Sequence, residues 1–527
     1  MTLNVDDILA PMKETRRKGD NLTLEWRLRQ LDAMHLMITE KREDFIHALH
    51  KDLGKERTES IYSEILLVEL EIKRFKKELR QWMKPKRVSY PGAIFPCVCE
   101  VQSVPLSDPC LIISPFNYPV GISLLPAVGS LGGGNPCVLK PSELCPTVSK
   151  VFAKMVPLYF DKGAFQVVEG GVDETTALLQ HHYGLIHFTG SERVGRIVQS
   201  AAAKTLSPTV LELGGKTPTI ITEDCPDDMN VVCHRLLGGK LLNAGQTCVA
   251  PDFVFCHRSK VDSFCKAAIS TIEELFELKE GEKNKTSEFP SIVTENHAER
   301  LENMIKEAES KGGEIVYGGS KLCNKSCRYI PPTIVLNPDK DSVMMKEEIF
   351  GPVIPVIPFD TDDEAITNIH EIIPGIPLAL YVFSKSKERY EYFMSKIPSA
   401  SAMRNEAILQ FVIPDFPFGG LGLSGLGSYQ GKQSFDTFTH ERTSLYHPCH
   451  ALFEYGNLRY HPHTGTKGKA LIFLIKNMPC VPSFTNKQLV LLSSLIIFLA
   501  VRGISSSLVD LASLLEVIAS LLRDMSK

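Results

Sequence analysis

Apolar and polar positions follow two rhythms along this chain. From about residue 22 to 84 charged residues interleave with apolar ones at helical spacing, and Ile61, Ile65, Val68, Ile72 and Phe75 recur at three- or four-residue steps. That period predicts amphipathic helices able to cover a sheet. Between 98 and 140 the texture changes to short β-rich runs (VCEVQSV, CLIIS, PCVLK) broken by Pro and Gly, with a helix predicted between Gly121 and Leu131. The alternation continues through FQVVEG, a helix over 173–181, GLIHFTG, a helix from Arg193, TVLELGG and TPTIIT. Strands and helices taking turns in this way predict a doubly wound, Rossmann-like parallel sheet.

A second α/β block is predicted from about 230 to 415, with strands at FVFCH and VIPVIPF and a helix from Glu295 to Lys311. No internal repeat is found. After FPFGGLGLSGLG the chain turns aromatic and polar and reads as an arm followed by a linker to about 487. The run from Gln488 to Val501 then carries no charge. As a helix it would be about 21 Å long, short of the roughly 20 residues a spanning helix needs. The next segment, Gly503 to Leu522, has Arg502 at its edge and gathers Arg502, Asp510 and Glu516 within about 120° of one helical face, which predicts an interfacial helix. Together the two predict a membrane anchor, with Lys467, Lys469, Lys476 and Lys487 placing positive charge on the cytosolic side. A helix hairpin packed on the protein or at a dimer contact is the alternative.

Charge narrows the field of partners. Lys and Arg number 58 against 62 Asp and Glu, so no excess points to nucleic acid. The N-terminus, MTLNVDDILAPMKETRRKGD, has no apolar core and predicts neither a secretory signal nor an anchor. Fourteen cysteines are scattered, and the pairs Cys97 with Cys99 and Cys323 with Cys327 lack the second pair a zinc site needs, so reduced thiols and no metal are expected.

Candidate chemistry sits in a few loops. Cys248, in NAGQTCVAPD, falls between a helical and a β-rich stretch, where a thiol can face a cleft as a nucleophile; taken alone, such a cysteine is more often a bystander. Glu212, in LELGGK, stands at a predicted strand end and can act as a general base or be a solvated charge. Asn117, in ISPFNYPV, can donate to an oxyanion or hold a turn. Lys140 and Glu143 of LKPSE lie at the C-terminal end of a predicted strand, where open α/β sheets bind ligands. A carboxylate such as Glu143 suits a ribose diol and would repel a 2′-phosphate, which leans toward NAD over NADP. In FTGSERVG, Gly190, Ser191 and a helix N-terminus can face pyrophosphate, though a plain strand-to-helix turn would look alike.

Taken in order, ISPFNYP, LKPSE, FTGSERVG, LELGGK, GQTC, EEIFGPV and FPFGGLGLSG resemble the motif set of the aldehyde dehydrogenase superfamily. The stretch GSYQGKQSFDTFTHERTSLY resembles the C-terminal arm of its class 3 branch, which includes the membrane-anchored fatty aldehyde dehydrogenases. The resemblance implies Cys248 as nucleophile, Glu212 as general base and Asn117 as oxyanion donor together with the Cys248 backbone N–H. It implies that Glu348 and Phe350 position the nicotinamide ribose and ring, and that Lys140, Glu143, Ser191 and Val194 line the adenosine and phosphate side. It also implies a homodimer bridged by the arm.

The resulting expectation is an NAD-dependent enzyme, with NADP possible, that oxidises medium- to long-chain fatty aldehydes. It would lie on a membrane such as the endoplasmic reticulum with its catalytic domains facing the cytosol. A broad aromatic and aliphatic aldehyde range is the neighbouring alternative. A cysteine acyl hydrolase using His234 or His257, and an inactive membrane scaffold, are the rivals from other classes. The expected domains are 1–211 for cofactor binding (with 86–106 in a bridging sheet), 212–420 for catalysis, 421–450 as a small β oligomerisation arm, 451–486 as linker and 487–523 as anchor. Departures from the pattern are Gln430, where a His is often found in the arm, Met403 and Arg404 in PSASAMR, and a Glu212-to-Cys248 spacing about two residues longer than is usual.

Overall fold

The computed structural model describes residues 3–91, 97–276, 289–447, 449, 460–477, 480, 481 and 483. The expected anchor, 487–523, lies outside them. Among the described residues no helix is long and apolar enough to cross a membrane. The described residues form two compact units, one from those within 3–79 and 105–439 and one from those within 80–104 and 440–483.

The first unit holds two sheets. In the six-stranded one the order is Gly425–Leu426, Thr209–Glu212, Leu185–Thr189, Cys110–Ile113, Cys137–Lys140 and Phe165–Val167. All its pairs are parallel except the Gly425–Leu426 edge, which runs antiparallel to Thr209–Glu212. The order reverses between Cys110–Ile113 and Leu185–Thr189, and such a switch point opens a crevice at the strands' C-terminal ends. These strands read as unbroken apolar runs because helices cover both faces of a parallel sheet. The helix Gly121–Gly133 is buried at every position, as its all-round apolar sequence requires.

The seven-stranded sheet runs Glu314–Tyr317, Thr333–Leu336, Val353–Phe359, Phe253–His257, Pro218–Ile221, Ala379–Phe383 and Ser401–Arg404, parallel but for its first strand. Its main core packs the helices Met229–Leu241, Val261–Leu275 and Glu295–Ser310 through Leu236, Phe264, Leu301 and Ile305. Side-chain caps start two of them: Asp228 accepts the N–H groups of Asn230 and Val231, and Thr294 that of His297.

Thr209–Glu212 straddles the expected boundary at 211, and Gly425–Leu426 belongs to the same sheet, because an antiparallel return covers an edge that would otherwise stay unpaired. Of the predicted apolar stripe, Ile65, Val68, Ile72 and Phe75 are buried as expected. Ile61–Ile65, however, forms a π turn whose wider pitch carries Glu64 to the interior.

In the second unit Lys86–Arg87, Val98–Pro105 and Thr439–Tyr446 form a three-stranded sheet. The expected linker carries a helix, Gly465–Asn477, since ALIFLIK propagates a helix better than a flexible spacer would, and Cys480–Val481 pairs with Tyr90–Pro91.

Candidate active site

Cys248 lies just before the strand Phe253–His257, after a turn in which Asn243, Ala244 and Gly245 all take left-handed φ values of 52°, 52° and 76°. Non-glycine residues hold that conformation only under constraint. Here the Asn243 side chain donates to the carbonyls of Asn117 (2.7 Å) and Gln246 (3.2 Å). The Gln246 amide donates to Asn243 and Ser291 and accepts the Val293 N–H. At Gly245 a Cβ would stand 2.3 Å from the Gly351 carbonyl oxygen, so glycine is required on steric grounds as well.

Asn117 follows the central strand Cys110–Ile113 at the switch point. Its carbonyl accepts from Asn243 and from the Lys55 ammonium (3.1 Å), while no hydrogen bond engages its side-chain amide among the described residues. Lys55 and Glu64 form a fully buried ion pair at 2.5 Å. Glu64 also accepts the N–H groups of Val120 (3.0 Å) and Gly121 (2.8 Å), capping the buried helix. Next door, the Tyr118 hydroxyl meets Thr247 Oγ1 at 2.6 Å and the Tyr118 ring lies under Lys55. The Asn117 and Cys248 loops are thus bonded at two points. Glu59, on the short helix Arg57–Ser60, also holds the Cys248 loop by accepting the Asn243 N–H at 2.9 Å, and burial pushes its carboxyl up to about 7.

Glu212 ends its strand, paired with Thr189 on one side and Gly425 on the other. It is 3% exposed, and neither carboxylate oxygen has a partner among the described residues. Desolvation alone raises its pKa well above the ordinary carboxylate range. Burial, followed by the charges of Glu348 and Glu212, pushes the Cys248 thiol up to about 12, while the N–H groups of Cys248 and Val249 act in the opposite sense.

Glu348 and Phe350 precede Val353–Phe359, the parallel neighbour of the strand after Cys248, so both loops arrive at the same N-terminal end of these two central strands. Lys216 fastens them by bonding Asp252 and the carbonyls of Met344 (2.7 Å) and Glu347 (3.0 Å). The Glu348 carboxyl, pushed up to about 8 chiefly by burial and then by Asp252, rests against Gly214, where a Cβ would come within 2.3 Å of it. Phe350, at φ 51°, meets Phe116 edge-on at 5.7 Å.

The cofactor candidates lie at the C-terminal ends of the first sheet. Lys140 is buried and donates to Glu143 at 3.0 Å and to Pro141. Gly190 donates to the Glu212 carbonyl, and any side chain there would strike the Phe188 ring. Ser191 is the N-cap of Glu192–Thr205 but its hydroxyl does not cap, which leaves it and the helix N-terminus for an anion. Val194 is half-buried and packs on the first sheet's core. A cradle with no room for a side chain, a free hydroxyl at a helix N-terminus and a paired Lys140 and Glu143 fit a dinucleotide.

The rival histidines are elsewhere: His234 bonds Asn230 and pairs with Glu274, and His257 bonds Ser259. Arg404 is exposed at the end of its strand, with Glu388 and Tyr390 as its electrostatic neighbours, while the Gln430 amide donates to the Phe411 carbonyl. Among the described residues no group of three or more ligating side chains could hold a metal. Sequence reasoning missed Lys55, Glu64, Glu59 and Asn243, whose charges and amide read as helix-surface and loop residues.

Against known proteins, residues 2–444 match the model of the aldehyde dehydrogenase family. The chain is 37% identical to aldehyde dehydrogenase family 3 member A2 of Pongo abelii over 87% of this chain and 91% of that one. It is 36% identical to the dimeric NADP-preferring aldehyde dehydrogenase of Rattus norvegicus, over 84% and 94%. The substrate-bound state of Staphylococcus aureus AldH superposes with a TM-score of 0.83 at 33% identity, covering 90% of this chain and all of that one. The chain belongs to the aldehyde dehydrogenase family, in its class 3 branch. It is therefore an NAD(P)-dependent oxidoreductase acting on aldehydes.

Proposed function

We propose that this enzyme oxidises medium- to long-chain fatty aldehydes through a covalent thioester on Cys248. The observation that carries the reading is convergence. The thiol feels the Glu212 and Glu348 carboxyls, and its loop is bonded to the one that bears Asn117.

In this mechanism Cys248 gives up its thiol proton to solvent and the Sγ thiolate attacks the aldehyde carbon, while the Asn117 amide and the Cys248 N–H donate to the oxyanion. Bound nicotinamide supplies the hydride acceptor. Glu212 takes a proton from the water that cleaves the thioester, and the carboxylic acid leaves. Because burial raises the Glu212 pKa and only the ionised carboxylate can serve as base, deacylation is expected to quicken as pH rises. Lys140, Glu143, Gly190, Ser191 and Val194 would hold the adenosine and phosphates, and Glu348 and Phe350 the nicotinamide end.

Fatty aldehydes are favoured by the uncharged run from Gln488 to Val501, which would keep the enzyme where such aldehydes partition, and by the resemblance of GSYQGKQSFDTFTHERTSLY to the arm of the branch that includes fatty aldehyde dehydrogenases. The rat relative named dimeric supports a homodimer. An absorbance assay of NADH formation with straight-chain aldehydes from acetaldehyde to hexadecanal tests the substrate. kcat/KM should climb with chain length, and a flat or falling series would remove the fatty reading. Cys248→Ala should show no turnover. Truncation at residue 487 should move the protein from the membrane to the soluble fraction, and unchanged sedimentation would remove the anchor.

A further inference from the structure

The catalytic mechanism leaves a buried polar row unexplained. In the parallel pairing of Leu185–Thr189 with Thr209–Glu212, Thr189 lies beside Glu212 and His187 beside Val210. Residues paired in this way point to one face, and so do residues two apart on a strand. His187, Thr189 and Glu212 therefore share a face, with His187 and Glu212 as diagonal neighbours across the pair.

All three are polar, and none is satisfied. Both His187 ring nitrogens, the Thr189 hydroxyl and both Glu212 oxygens are buried without a hydrogen-bond partner among the described residues. His187 is 1% exposed, held between the Tyr429 ring edge-on at 5.0 Å and the Phe438 ring stacked at 6.4 Å. Five orphaned polar atoms on one face are far more than a packed core tolerates, and ordered water is the usual remedy.

We propose that His187 and Thr189 hold buried water against the Glu212 carboxylate, making His187 a positioning residue that sets the pH at which the base becomes active. The imidazole is neutral, since burial drives its pKa down to about 3. It therefore offers one N–H donor and one acceptor. A water it orients can donate to Glu212, which favours the ionised form that deacylation needs. The other titratable groups near Glu212 are Cys248, from the catalytic loop, and Tyr429, whose phenol is kept protonated by burial and then by Glu212, Cys248 and Glu71. Among the described residues none of these supplies a positive charge to Glu212, so a hydrogen bond donated by held water is what would favour its ionised form.

This inference rests on Glu212 being the deacylation base, and one experiment separates the two. Pre-steady-state NADH bursts and steady-state kcat are measured across pH with NAD and a saturating aldehyde. Glu212→Gln should keep the burst and lose steady turnover; if it does not, the role of Glu212 falls. His187→Leu should keep the burst but move the pH midpoint of kcat up by about one unit, an approximately tenfold loss below the midpoint. Thr189→Val should move it the same way, and His187→Gln, which still bonds water, should stay near the parent. If Glu212→Gln behaves as expected yet His187→Leu and Thr189→Val keep the parental midpoint, the inference is overturned. It is equally overturned if His187→Leu and His187→Gln lose burst and turnover together, which would mark His187 as packing.

Discussion

Replacing Lys55 with Met separates what the buried ion pair does for stability from what it does for catalysis. Lys55 and Glu64 have no side-chain exposure, and the ammonium also holds the Asn117 carbonyl. Methionine fills the space but leaves the Glu64 charge alone in the interior, and breaking one side of such a pair costs about 3–5 kcal/mol. Since a domain's whole stability is about 5–15 kcal/mol, Lys55→Met should fold but unfold at clearly lower urea concentration. The Asn117 loop keeps Asn243 and Tyr118–Thr247 as ties but loses its cation. A small misplacement of a donor costs up to about a hundredfold, so kcat/KM should fall by roughly ten- to a hundredfold. Lys55→Met/Glu64→Gln then removes the stranded charge while an amide oxygen still accepts the Val120 and Gly121 N–H groups. The urea midpoint should recover most of its loss, whereas kcat/KM should stay low. Parental kcat/KM in Lys55→Met, or recovery of activity along with stability in the double variant, would refute the claim that Lys55 positions Asn117.

Two further outcomes follow from the site's charges. Because the Cys248 thiol is pushed up to about 12, alkylation of the cofactor-free enzyme by iodoacetamide should keep rising about tenfold per pH unit well above 8.5, the ordinary thiol value. Glu348→Gln should speed it only above about pH 8, where Glu348 is ionised; a plateau near pH 9 would count against the electrostatic account. Glu143→Gln removes the carboxylate that would face a 2′-phosphate. The ratio of kcat/KM for NADP to that for NAD should rise about tenfold, corresponding to roughly 1.4 kcal/mol of repulsion, and an unchanged ratio would place the ribose elsewhere.

Much of the molecule was readable from local pattern. The strands CLII, CVLK, LIHFT and TVLE carry their burial in their composition, and the helix Gly121–Gly133 carries its own in being apolar on every side. Glu212, Asn117 and Cys248 could be picked out because each stands where an element ends, and their motif order pointed to the family that comparison then established. These features depend on neighbours within a few residues, which is the range over which period and propensity act.

What the sequence could not decide depends on residues far apart along it. Lys55 and Glu64 read as the polar face of a helix, and only the π turn and the Asn117 loop make them a buried pair. The return of Gly425–Leu426 to the Glu212 strand crosses more than two hundred residues, so no local signal announces it. His187 passes as one polar residue in an apolar strand until the parallel register sets it diagonal to Glu212. Sequence alone pointed to the candidate residues at each end of the proposed reaction; tertiary structure decided which buried charges hold their loops together, because burial turns a solvated charge into a constraint.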